Sequence, residues 1–439
     1  MAYAELTEWM FNLERFGIKL GLDNAVEFMR RIGDPQKDFR SIHITGTNGK
    51  GSVCAIIAEI LRRQGLRVGL YTSPHLVDFR ERIVVDGRQI PEKDVVRIAS
   101  ELRGEMDAMS SESGEKQLTF FEFTTGLAFR YFSEEKVDMV VAEVGLGGRL
   151  DVTNVLLPDV TAITRIGFEH TKYLGNTLQE IAREKAGIVK EGVPVVTCER
   201  NSEALGVIRN ACARRRARLM AIGVDFDVSA IEQSLSGTAF DYSGVNSYPS
   251  LKMKLIGRHQ AENAACAVAV LEELRSKGFD IAEDAIRDGL TATSWPGRLD
   301  IVSADPLVIL DGSHNPDGIA TTVRILRELK ITPLTYVVGC MDDKDSAGIV
   351  RELAATASKL VCTQTRNKRA LPAERLTHIA GKEFQGPIET YESSEDALNH
   401  CIQSFEGKGM CVIGSLYLVG EAIPWWDRRK GDRCSPHKI

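Results

Sequence analysis

A glycine-rich segment near the N-terminus, residues 43–52, constrains the fold of this chain more than any other feature. It reads His-Ile-Thr-Gly-Thr-Asn-Gly-Lys-Gly-Ser and overlaps the β-branched end of a predicted strand, Ser41–Thr45. The apolar spacing after it predicts a helix from Val53 to Arg63. Glycines let the backbone turn its N–H groups around an anion, the helix N-terminus adds its dipole, and Lys50 adds a positive charge. The segment therefore predicts a phosphate-binding P-loop within an α/β domain.

The spacing of this loop departs in one place from the general pattern, in which Ser or Thr directly follows the lysine. Here Gly51 follows Lys50, and the hydroxyl comes one residue later, at Ser52. The structural alternative is a glycine-rich turn with a chance lysine, but the strand before it and the apolar helix after it favour phosphate binding. The first hypothesis is an enzyme that uses a nucleoside triphosphate.

Apolar strand-like runs alternate with helical patterns along the first part of the chain. The predicted strands are Ser41–Thr45, Val68–Tyr71, Val137–Val144, Val160–Ile166 and Pro194–Cys198. The predicted helices include Glu92–Met109, Thr177–Lys190 and Gln260–Ser276, with a polar loop at Ser111–Gln117 and a short antiparallel excursion around Ser229–Ser250. Continuous Val, Ile and Ala runs suit strands covered on both faces, so we expect a mainly parallel sheet.

A second alternation begins after the sequence Trp-Pro-Gly-Arg at residues 295–298. Its predicted elements are Leu307–Leu310, Thr321–Leu329, Leu334–Val338, Leu360–Cys362 and Met410–Ile413. A chain of 439 residues is too long for one compact core. We expect an α/β fold in two domains: residues 1–298 carry the P-loop and a mainly parallel sheet, and residues 299–439 form a smaller Rossmann-like α/β domain. The tail from Trp425 is basic and polar, and we expect it to be frayed.

Composition and charge argue against several functional classes. The net charge of −6, without a large basic excess, argues against nucleic acid as the main partner. The sequence has neither a signal-peptide pattern at its start nor an apolar run of the about 18 residues that span a bilayer. Nine scattered cysteines without a Cys-x-x-Cys pair predict reduced thiols, not a disulfide framework or a zinc site. We therefore expect a cytoplasmic protein without a membrane partner, and a monomer by default.

Polar residues follow three of the predicted strands, and ligands bind at the carboxyl ends of strands in open α/β sheets. Glu143 ends an apolar run and needs a partner; Mg²⁺, which prefers oxygen ligands shared with phosphate, is one candidate and a buried ion pair is the alternative. Ser73 follows a strand and either offers a hydroxyl to a metal or merely precedes the strand-breaking Pro74. His170 is either a ligand or general base, or a histidine with an ordinary structural role.

Two further clusters carry charged or polar groups. Lys185 lies in the helical segment Arg183–Gly187, where the alternative is a surface lysine. The segment Asp311–Pro316 follows the first strand of the second alternation and includes His314. Its side chains suit either a grip on a nucleotide or substrate, or a capped turn.

In this order, the motifs resemble those of folylpolyglutamate synthases and dihydrofolate synthases, which belong to the Mur ligase superfamily. The matching segments are His43–Ser52, Tyr71–Leu76, Leu118–Phe123, Glu143–Asn154, His170–Gly175, Arg183–Gly187, Pro296–Arg298, Asp311–Pro316, Gly339–Asp345, Ala370–Ala373 and Gly414–Leu418. The resemblance implies an ATP-dependent ligase that joins L-glutamate to a folate or dihydropteroate carboxylate through an acyl phosphate. It implies small-molecule substrates, ATP and Mg²⁺ as cofactors, and a monovalent cation as a further candidate.

The resemblance also implies roles for individual residues. The implied ATP-binding residues are Gly49, Lys50, Gly51, Ser52, Asn263, Arg298 and Asp311, and the implied Mg²⁺ ligands are Ser73, Glu143 and His170. Thr119, Phe121 and Asp151 correspond to pterin-binding or folate-binding segments, and His314, Ser415 and Tyr417 lie where glutamate and phosphate are handled. The implied catalytic residues are Lys50, Glu143, His170, Lys185 and His314. Lys185 corresponds to a lysine that becomes carbamylated to N6-carboxylysine.

Two departures from the family pattern are visible. Glu169 stands where the family usually has Asp before the histidine, and the segment Asp311–His314 varies its central pair but keeps Asp and His. Three alternatives stay open: another ligase of the superfamily, a P-loop regulatory ATPase, and a small-molecule kinase. The segment before His43 is too short for the separate UDP-binding domain of a peptidoglycan ligase. The acceptor is open between dihydropteroate, a folate monoglutamate and longer folates, as are the length and linkage of the product.

Overall fold

The computed structural model describes residues 2–13, 21–113 and 117–433. The chain divides into two compact units. The first unit comprises Met1–Glu232, Thr238–Lys254 and Arg258–Thr293, and the second comprises Gln233–Gly237, Leu255–Gly257 and Ser294–Ile439. No helix among the described residues is both long and apolar enough to cross a lipid bilayer.

An eight-stranded sheet forms the centre of the first unit. Its strands are β1 (Arg40–Thr45), β2 (Val68–Tyr71), β3 (Ile83–Val85), β4 (Arg88–Gln89), β5 (Met139–Glu143), β6 (Val160–Ile163), β7 (Val195–Thr197) and β8 (Leu219–Ala221). They follow the order β4-β3-β2-β5-β1-β6-β7-β8. Only β3 and β4 are antiparallel to their neighbours; the other six strands are parallel. The buried Val, Ile and Ala runs therefore form the mainly parallel sheet that the sequence predicts.

Ten helices accompany this sheet among the described residues. They are α1 (Tyr3–Asn12), α2 (Asp23–Arg31), α3 (Lys50–Arg63), α4 (Glu92–Ser113), α5 (Phe120–Glu134), α6 (Thr171–Leu174), α7 (Leu178–Lys185), α8 (Ser202–Arg214), α9 (Arg258–Ser276) and α10 (Glu283–Ala292). Helix α4 continues to Ser113, so the loop predicted from Ser111 is wrong at its start, and residues 114–116 lie outside the described residues. Helix α7 ends five residues before the predicted Lys190, because Ala186–Ile188 tighten into a 3-10 turn.

A small antiparallel sheet precedes α9, as the sequence predicts for this region. It consists of β9 (Asp227–Ser234), β10 (Gly237–Ser243) and β11 (Ser247–Met253), in the order β11-β10-β9. Buried Glu272 of α9 fastens it: the carboxylate accepts hydrogen bonds from Tyr242 Oη at 2.7 Å and from the backbone N–H of Asn246 at 2.8 Å.

The second unit is a Rossmann-like α/β structure with six strands. These are β12 (Asp300–Ala304), β13 (Leu307–Leu310), β14 (Leu334–Val338), β15 (Ala357–Thr363), β16 (Ile388–Tyr391) and β17 (Gly409–Ile413), in the order β12-β13-β17-β14-β15-β16. Only β12 pairs antiparallel. Its helices are α11 (Pro316–Glu328), α12 (Ser346–Ala354), α13 (Ala373–Glu383), α14 (Ser394–Ser404) and α15 (Leu416–Arg433).

The expectation of a frayed tail from Trp425 is wrong up to residue 433. Helix α15 continues to Arg433, and Trp425 and Trp426 are only 3% and 4% exposed. The two indole rings offset the polar composition of this segment, because burying large aromatic surface stabilises a terminal helix. Residues 434–439 lie outside the described part of the chain.

Eight cysteines lie in the described part of the chain. Each one is a buried thiol without a disulfide bond: Cys54, Cys198, Cys212, Cys266, Cys340, Cys362, Cys401 and Cys411. Reduced thiols are what the sequence predicts for these eight positions. The ninth cysteine, Cys434, lies outside the described residues.

Candidate active site

The glycine-rich loop joins β1 to α3 and leaves no room for side chains at two of its glycines. Gly46 has φ 150° and Gly49 has φ 92°. A Cβ atom at Gly46 would lie 1.8 Å from Thr164 Oγ1, and one at Gly49 would lie 2.5 Å from Asn263 Oδ1. Both positions therefore require glycine, and the predicted P-loop forms with the backbone it needs.

The Lys50 side chain folds back over this loop. Its Nζ atom donates hydrogen bonds of 3.1 Å to the carbonyl oxygens of Gly46 and Thr47. Lys50 is the first residue of α3, and Gly51 and Ser52 continue the first turn, where backbone N–H groups have no partner within the helix. The loop thus presents a cation and a helix N-terminus at one place, which is the arrangement that binds phosphate.

Asn263 lies directly against the loop. It is 5% exposed on α9, its Oδ1 atom faces Gly49, and its Nδ2 atom donates to Gln260 Oε1 at 3.0 Å. The structure therefore brings Asn263 together with Gly49 and Lys50, which the sequence places more than 200 residues away. The other two predicted nucleotide-binding residues, Arg298 and Asp311, belong to the second unit.

Glu143 and Ser73 meet at the ends of adjacent strands. Glu143 is the last residue of β5 and is 5% exposed, and its Oε2 atom accepts a hydrogen bond of 3.1 Å from the Ser73 backbone N–H. Strand β2 lies beside β5 with Tyr71 opposite Ala142, which places Thr72 and Ser73 next to the carboxylate. A carboxylate and a hydroxyl on neighbouring strand ends are oxygen ligands of the kind that Mg²⁺ prefers.

His170 lies after a third strand, β6, seven residues beyond its last residue, Ile163. It precedes α6 with φ 51°, is 39% exposed, and its Nε2 atom lies 3.9 Å from Glu169 Oε1. In residues 2–13, 21–113 and 117–433 there is no group of three His, Cys, Asp or Glu side chains that could hold a metal ion. The structure brings the Ser73 backbone next to the Glu143 carboxylate. Mg²⁺ does not need three charged side chains, because it usually keeps waters and substrate oxygens as ligands.

Lys185 reaches the same loop from the end of α7. It is 4% exposed, and its Nζ atom donates a hydrogen bond of 2.7 Å to the Gly46 carbonyl oxygen. Burial, and then the positive charge of Lys50, lowers the pKa of Lys185 to about 7, although the carboxylates of Glu169 and Asp151 act in the opposite direction. Lys185 is therefore not the surface lysine of the alternative interpretation.

Phe121 and Asp151 converge at Gly145, just beyond β5. A Cβ atom on Gly145 would lie 3.2 Å from Phe121 Cε1 and 3.3 Å from Asp151 Oδ2. The Phe121 ring is 40% exposed, whereas Asp151 is 9% exposed. An aromatic face beside a carboxylate suits a flat heterocycle that carries N–H donors.

Thr119 is the N-cap of α5. Its Oγ1 atom accepts a hydrogen bond of 3.3 Å from the Glu122 backbone N–H, and its own backbone N–H donates to Glu122 Oε2 at 2.7 Å. This capping box begins the helix two residues before Phe121. Thr119 therefore sets the position of the exposed ring.

Arg82 and His75 belong to the same neighbourhood, and the sequence reasoning assigned no role to them. The Arg82 guanidinium lies 5.2 Å from the Phe120 ring centroid and 5.8 Å from that of Phe121, and its Nε atom donates to His75 Nδ1 at 2.8 Å. Burial, and then the charge of Arg82, lowers the pKa of His75 to about 3. No local sequence pattern predicts that Arg82 approaches Phe120 and Phe121, because these two rings lie on α5.

In the second unit, Asp311 organises the turn that contains Arg298. Asp311 is 3% exposed; its Oδ2 atom accepts from the Leu299 backbone N–H at 2.8 Å, and its Oδ1 atom accepts from Thr322 Oγ1 at 3.0 Å. The Gly312 backbone N–H donates to the Gly297 carbonyl oxygen at 2.7 Å. The end of β13 thus supports the backbone on both sides of Arg298.

His314, Ser415 and Tyr417 follow β13 and β17, which are neighbours in the sheet. The Gly414 backbone N–H donates to the Ser313 carbonyl oxygen at 3.0 Å, which joins the two strand ends. His314 Nδ1 lies 2.8 Å from the Gly312 carbonyl oxygen and must carry the proton, because a carbonyl only accepts. Ser415 Oγ accepts from the Tyr417 N–H at 3.1 Å, and Tyr417 Oη accepts from Arg369 at 3.1 Å.

Known proteins match almost the whole chain. Residues 44–271 match the Mur ligase middle domain, and residues 297–416 match the Mur ligase glutamate ligase domain. A dihydrofolate synthase/folylpolyglutamate synthase from Bacillus subtilis is 36% identical over 431 residues, which are 96% of this chain and 98% of the relative. The chain belongs to the folylpolyglutamate synthase and dihydrofolate synthase family of Mur ligases.

Solved structures of the family have the same fold. Folylpolyglutamate synthase from Thermotoga maritima matches with a TM-score of 0.86 at 36% identity and covers 97% of this chain and 96% of its own. The Escherichia coli protein FolC in complex with DHPP and ADP matches with a TM-score of 0.86 at 31% identity and covers 97% and 98%. These matches confirm the family resemblance and the two-domain α/β fold that the sequence of this chain predicts.

Proposed function

We propose that the chain is an ATP-dependent ligase that joins L-glutamate to the carboxylate of a folate or dihydropteroate through an acyl phosphate. One observation carries the proposal: in a chain of this family, Lys50 and Lys185 both donate to the Gly46 carbonyl of a glycine-rich loop. A phosphate bound there meets the Lys50 ammonium and the N-terminus of α3, beside the Lys185 amine, whose pKa is lowered to about 7. Such concentrated positive charge suits a triphosphate whose terminal group is transferred.

The reaction follows from the chemistry of the acid. A carboxylate is a poor acyl donor, so its oxygen first attacks the γ-phosphorus of ATP, which yields an acyl phosphate and ADP. The glutamate amine then attacks the acyl carbon, the tetrahedral intermediate expels phosphate, and the nitrogen loses a proton. Lys50 and the N–H groups of Gly49, Gly51 and Ser52 would hold the phosphates and offset the charge that moves with the phosphoryl group.

Ser73 and Glu143, with His170 from the next strand end, would hold Mg²⁺ next to the phosphates. The oxygen donors fit, since the Glu143 carboxylate is buried, lies against Ser73, and ends the strand beside β1. A bound Mg²⁺ ion would neutralise phosphate charge. A monovalent cation is a further candidate at this site.

Lys185 is proposed to be converted to N6-carboxylysine. A neutral amine adds to CO₂ and releases one proton to form the carbamate. A pKa of about 7 leaves a substantial neutral fraction at physiological pH. The change replaces a cation that competes with Lys50 by an anion that attracts it, so it would favour an ordered loop. We propose Lys50, Glu143, His170, Lys185 and His314 as the catalytic group.

The acceptor would bind beside Gly145. Phe121 offers an exposed ring face and Asp151 a carboxylate that accepts hydrogen bonds from a pterin's N–H groups, while Thr119 positions the ring through α5. Asp311, in the proposed glutamate-ligase domain of residues 299–439, would contact the nucleotide together with Arg298, which directly precedes that domain. His314, Ser415 and Tyr417 would handle glutamate and phosphate. Residues 1–298 form the proposed ATP-binding domain, and the working protein is proposed to be a cytoplasmic monomer.

A coupled ADP-release assay tests this function. We expect ADP release to require glutamate together with dihydropteroate or a reduced folate. Activity with dihydropteroate assigns the dihydrofolate synthase step, and activity with folates alone assigns the polyglutamate step. ADP release without glutamate would favour a regulatory ATPase, a stable phosphorylated product would favour a kinase, and glutamate transfer to acceptors without a pterin would favour a different Mur ligase.

A further inference from the structure

His43 is a fully buried histidine next to the phosphate-binding loop, and the mechanism above does not use it. It lies in β1, three residues before Gly46, and is 0% exposed. Its Nε2 atom is 2.8 Å from Thr153 Oγ1. Thr153 Oγ1 is in turn 2.5 Å from Asp151 Oδ1. A continuous hydrogen-bonded chain therefore runs from the strand under the loop to the carboxylate proposed to bind the acceptor.

The available protons determine which atom donates in each of these hydrogen bonds. Burial raises the pKa of Asp151, and hydrogen bonds from Thr153 and from the Leu146 backbone N–H act in the opposite direction. A carboxylate at Asp151 only accepts, so the single hydroxyl proton of Thr153 then points to Asp151 Oδ1. The hydroxyl oxygen must then accept from His43, which places the imidazole proton on Nε2. His43 Nδ1 is left as an acceptor, and it has no hydrogen-bond partner in the described part of the chain. The neutral Nε2–H tautomer is the form that satisfies both contacts.

The surroundings keep His43 in that neutral form. Burial, and then the positive charge of Lys190, lowers the pKa of His43 to about 3. Its donor role therefore stays constant across physiological pH. The hydrogen bonds from His43 through Thr153 to Asp151 form a fixed support for the carboxyl group and do not change with pH in this range.

The remaining contacts of Asp151 divide between its two oxygens. Its Oδ2 atom accepts from the Leu146 backbone N–H at 2.9 Å, and its Oδ1 atom accepts from the Thr153 backbone N–H at 3.0 Å. Oδ2 is also the atom that lies beside Gly145, which Phe121 approaches as well. The two Thr153 contacts thus hold Oδ1, and Oδ2 is the oxygen nearer to the position where the exposed ring approaches the backbone.

We propose that His43 and Thr153 are positioning residues for the acceptor: they hold the Asp151 carboxyl group in place to accept hydrogen bonds from the N–H groups of the pterin. The inference rests on the proposed function, because it deepens the role of Asp151 in acceptor binding.

A purely structural role fits the site poorly. A buried imidazole with an unpaired nitrogen is less favourable for folding than an apolar side chain of similar size, because the lone pair has lost its hydration. Leucine at this position should therefore keep or raise thermal stability. We expect the same substitution to weaken acceptor binding, and these opposite effects separate positioning from packing.

Paired variants test the proposal. Thr153→Val removes the hydroxyl at nearly constant volume and Thr153→Ser keeps it; His43→Leu removes the donor and His43→Gln keeps one. We expect Thr153→Val and His43→Leu to raise KM for the pterin acceptor by roughly 10- to 100-fold, with KM for ATP and glutamate within about twofold of wild type. Thr153→Ser and His43→Gln should recover most of the loss. An unchanged acceptor KM, or equal changes for all three substrates, would overturn the proposal.

A measurement on the unaltered protein covers the case in which a variant fails to fold. Nitrogen-15 NMR of histidine-labelled wild-type protein should show two imidazoles, those of His43 and His75, as neutral Nε2–H tautomers that do not titrate near neutral pH. The one that remains in His75→Gln belongs to His43. Its signal should shift when dihydropteroate binds. A His43 that is protonated or carries its proton on Nδ1, or a His43 signal that does not change when dihydropteroate binds, would refute the proposed positioning role. If no pterin is bound or glutamylated at all while the tautomer is as expected, the proposed function fails, and with it the role given to Asp151.

Discussion

Lys185 Nζ lies 2.7 Å from the Gly46 carbonyl oxygen, although 139 residues separate the two positions in sequence. The same oxygen accepts from Lys50 Nζ at 3.1 Å. Two amines that share one neutral acceptor repel each other when both are charged. Binding of a triphosphate, or loss of the Lys185 charge, would therefore reduce the repulsion between the two amines at this loop.

Lys50→Ala should abolish glutamate-dependent ADP release. The side chain donates only to backbone carbonyls of its own loop, so its removal should change stability by less than about 1 kcal/mol while activity falls by at least about 100-fold. The coupled assay and thermal unfolding measure the two effects. Lys252→Ala, an exposed lysine on β11, is the matched control and should keep full activity. Turnover retained by Lys50→Ala would refute the phosphate role.

The Lys185 amine should make stability depend on pH. Its pKa is about 7 in the folded chain against 10.5 for an ordinary lysine, so the unfolded chain binds more protons between these values and stability rises with pH across this window. Lys185→Met removes the group, and should be more stable than wild type near pH 7 by about 2 kcal/mol or more, with the margin narrowing towards about pH 9. Urea unfolding in CO₂-free buffer measures this difference. A margin that stays constant with pH would contradict the assignment.

Glu143→Gln should raise the Mg²⁺ concentration needed for half-maximal activity by roughly tenfold or more, because a neutral amide oxygen is a weaker ligand than a carboxylate. The amide oxygen can still accept from the Ser73 N–H, so the fold should persist. Glu272→Gln is the control: it is an equally buried carboxylate, but it serves the small antiparallel sheet. It should lower the unfolding temperature and leave the Mg²⁺ dependence unchanged. Similar Mg²⁺ titrations for Glu143→Gln and wild type would exclude Glu143 as a ligand.

Gly49→Ala should impair both nucleotide binding and folding. The added Cβ would lie 2.5 Å from Asn263 Oδ1, and the backbone has φ 92°. We therefore expect the free energy of unfolding to fall by about 1–3 kcal/mol and the KM for ATP to rise by roughly tenfold or more. Gly206→Ala, on α8 with open space around it, should instead stabilise by up to about 1 kcal/mol. Denaturant unfolding and ATP titrations compare the two. Normal ATP binding by Gly49→Ala would show that the loop tolerates a different backbone.

The two tryptophans of α15 should respond differently to phenylalanine. Trp425 Nε1 donates to Asn399 Oδ1 at 2.9 Å, whereas Trp426 Nε1 is buried without an acceptor among the described residues. Trp425→Phe should lower the free energy of unfolding by about 1 kcal/mol. Trp426→Phe should lower it by less, because this substitution also removes an unpaired donor. Trp426→Ala should cost about 3–5 kcal/mol. Unfolding monitored by circular dichroism ranks the three variants, and a neutral Trp426→Ala would restore the idea of a frayed tail.

Local features of the site could be predicted from sequence because their causes are local. The loop after β1 is encoded by adjacent glycines and Lys50, and Glu143 is conspicuous as a carboxylate at the end of a buried strand. The parallel sheet follows from apolar runs that suit burial on both faces. The same reasoning failed for the tail, where charged residues outnumber the two indole rings that decide its packing.

Contacts between distant segments could not be predicted in this way. The distance between Lys185 and Gly46 depends on where the end of α7 meets the loop after β1 and on a strand order that no local pattern predicts. The His43 contact with Thr153 spans 110 residues, and Arg82 meets Phe120 only because the chain returns after β2. Such partners become visible only when the sheet order brings strand ends side by side.

The burial of all eight described thiols makes the chain suitable for site-selective fluorescent labelling. With Cys434 replaced by serine, a maleimide dye should react slowly with what remains, because buried thiols are poor nucleophiles. Cysteines introduced at the exposed positions Val224 and Arg366 would then carry a donor and an acceptor dye, one on each unit. Energy transfer between the dyes would report on movement of the units during turnover.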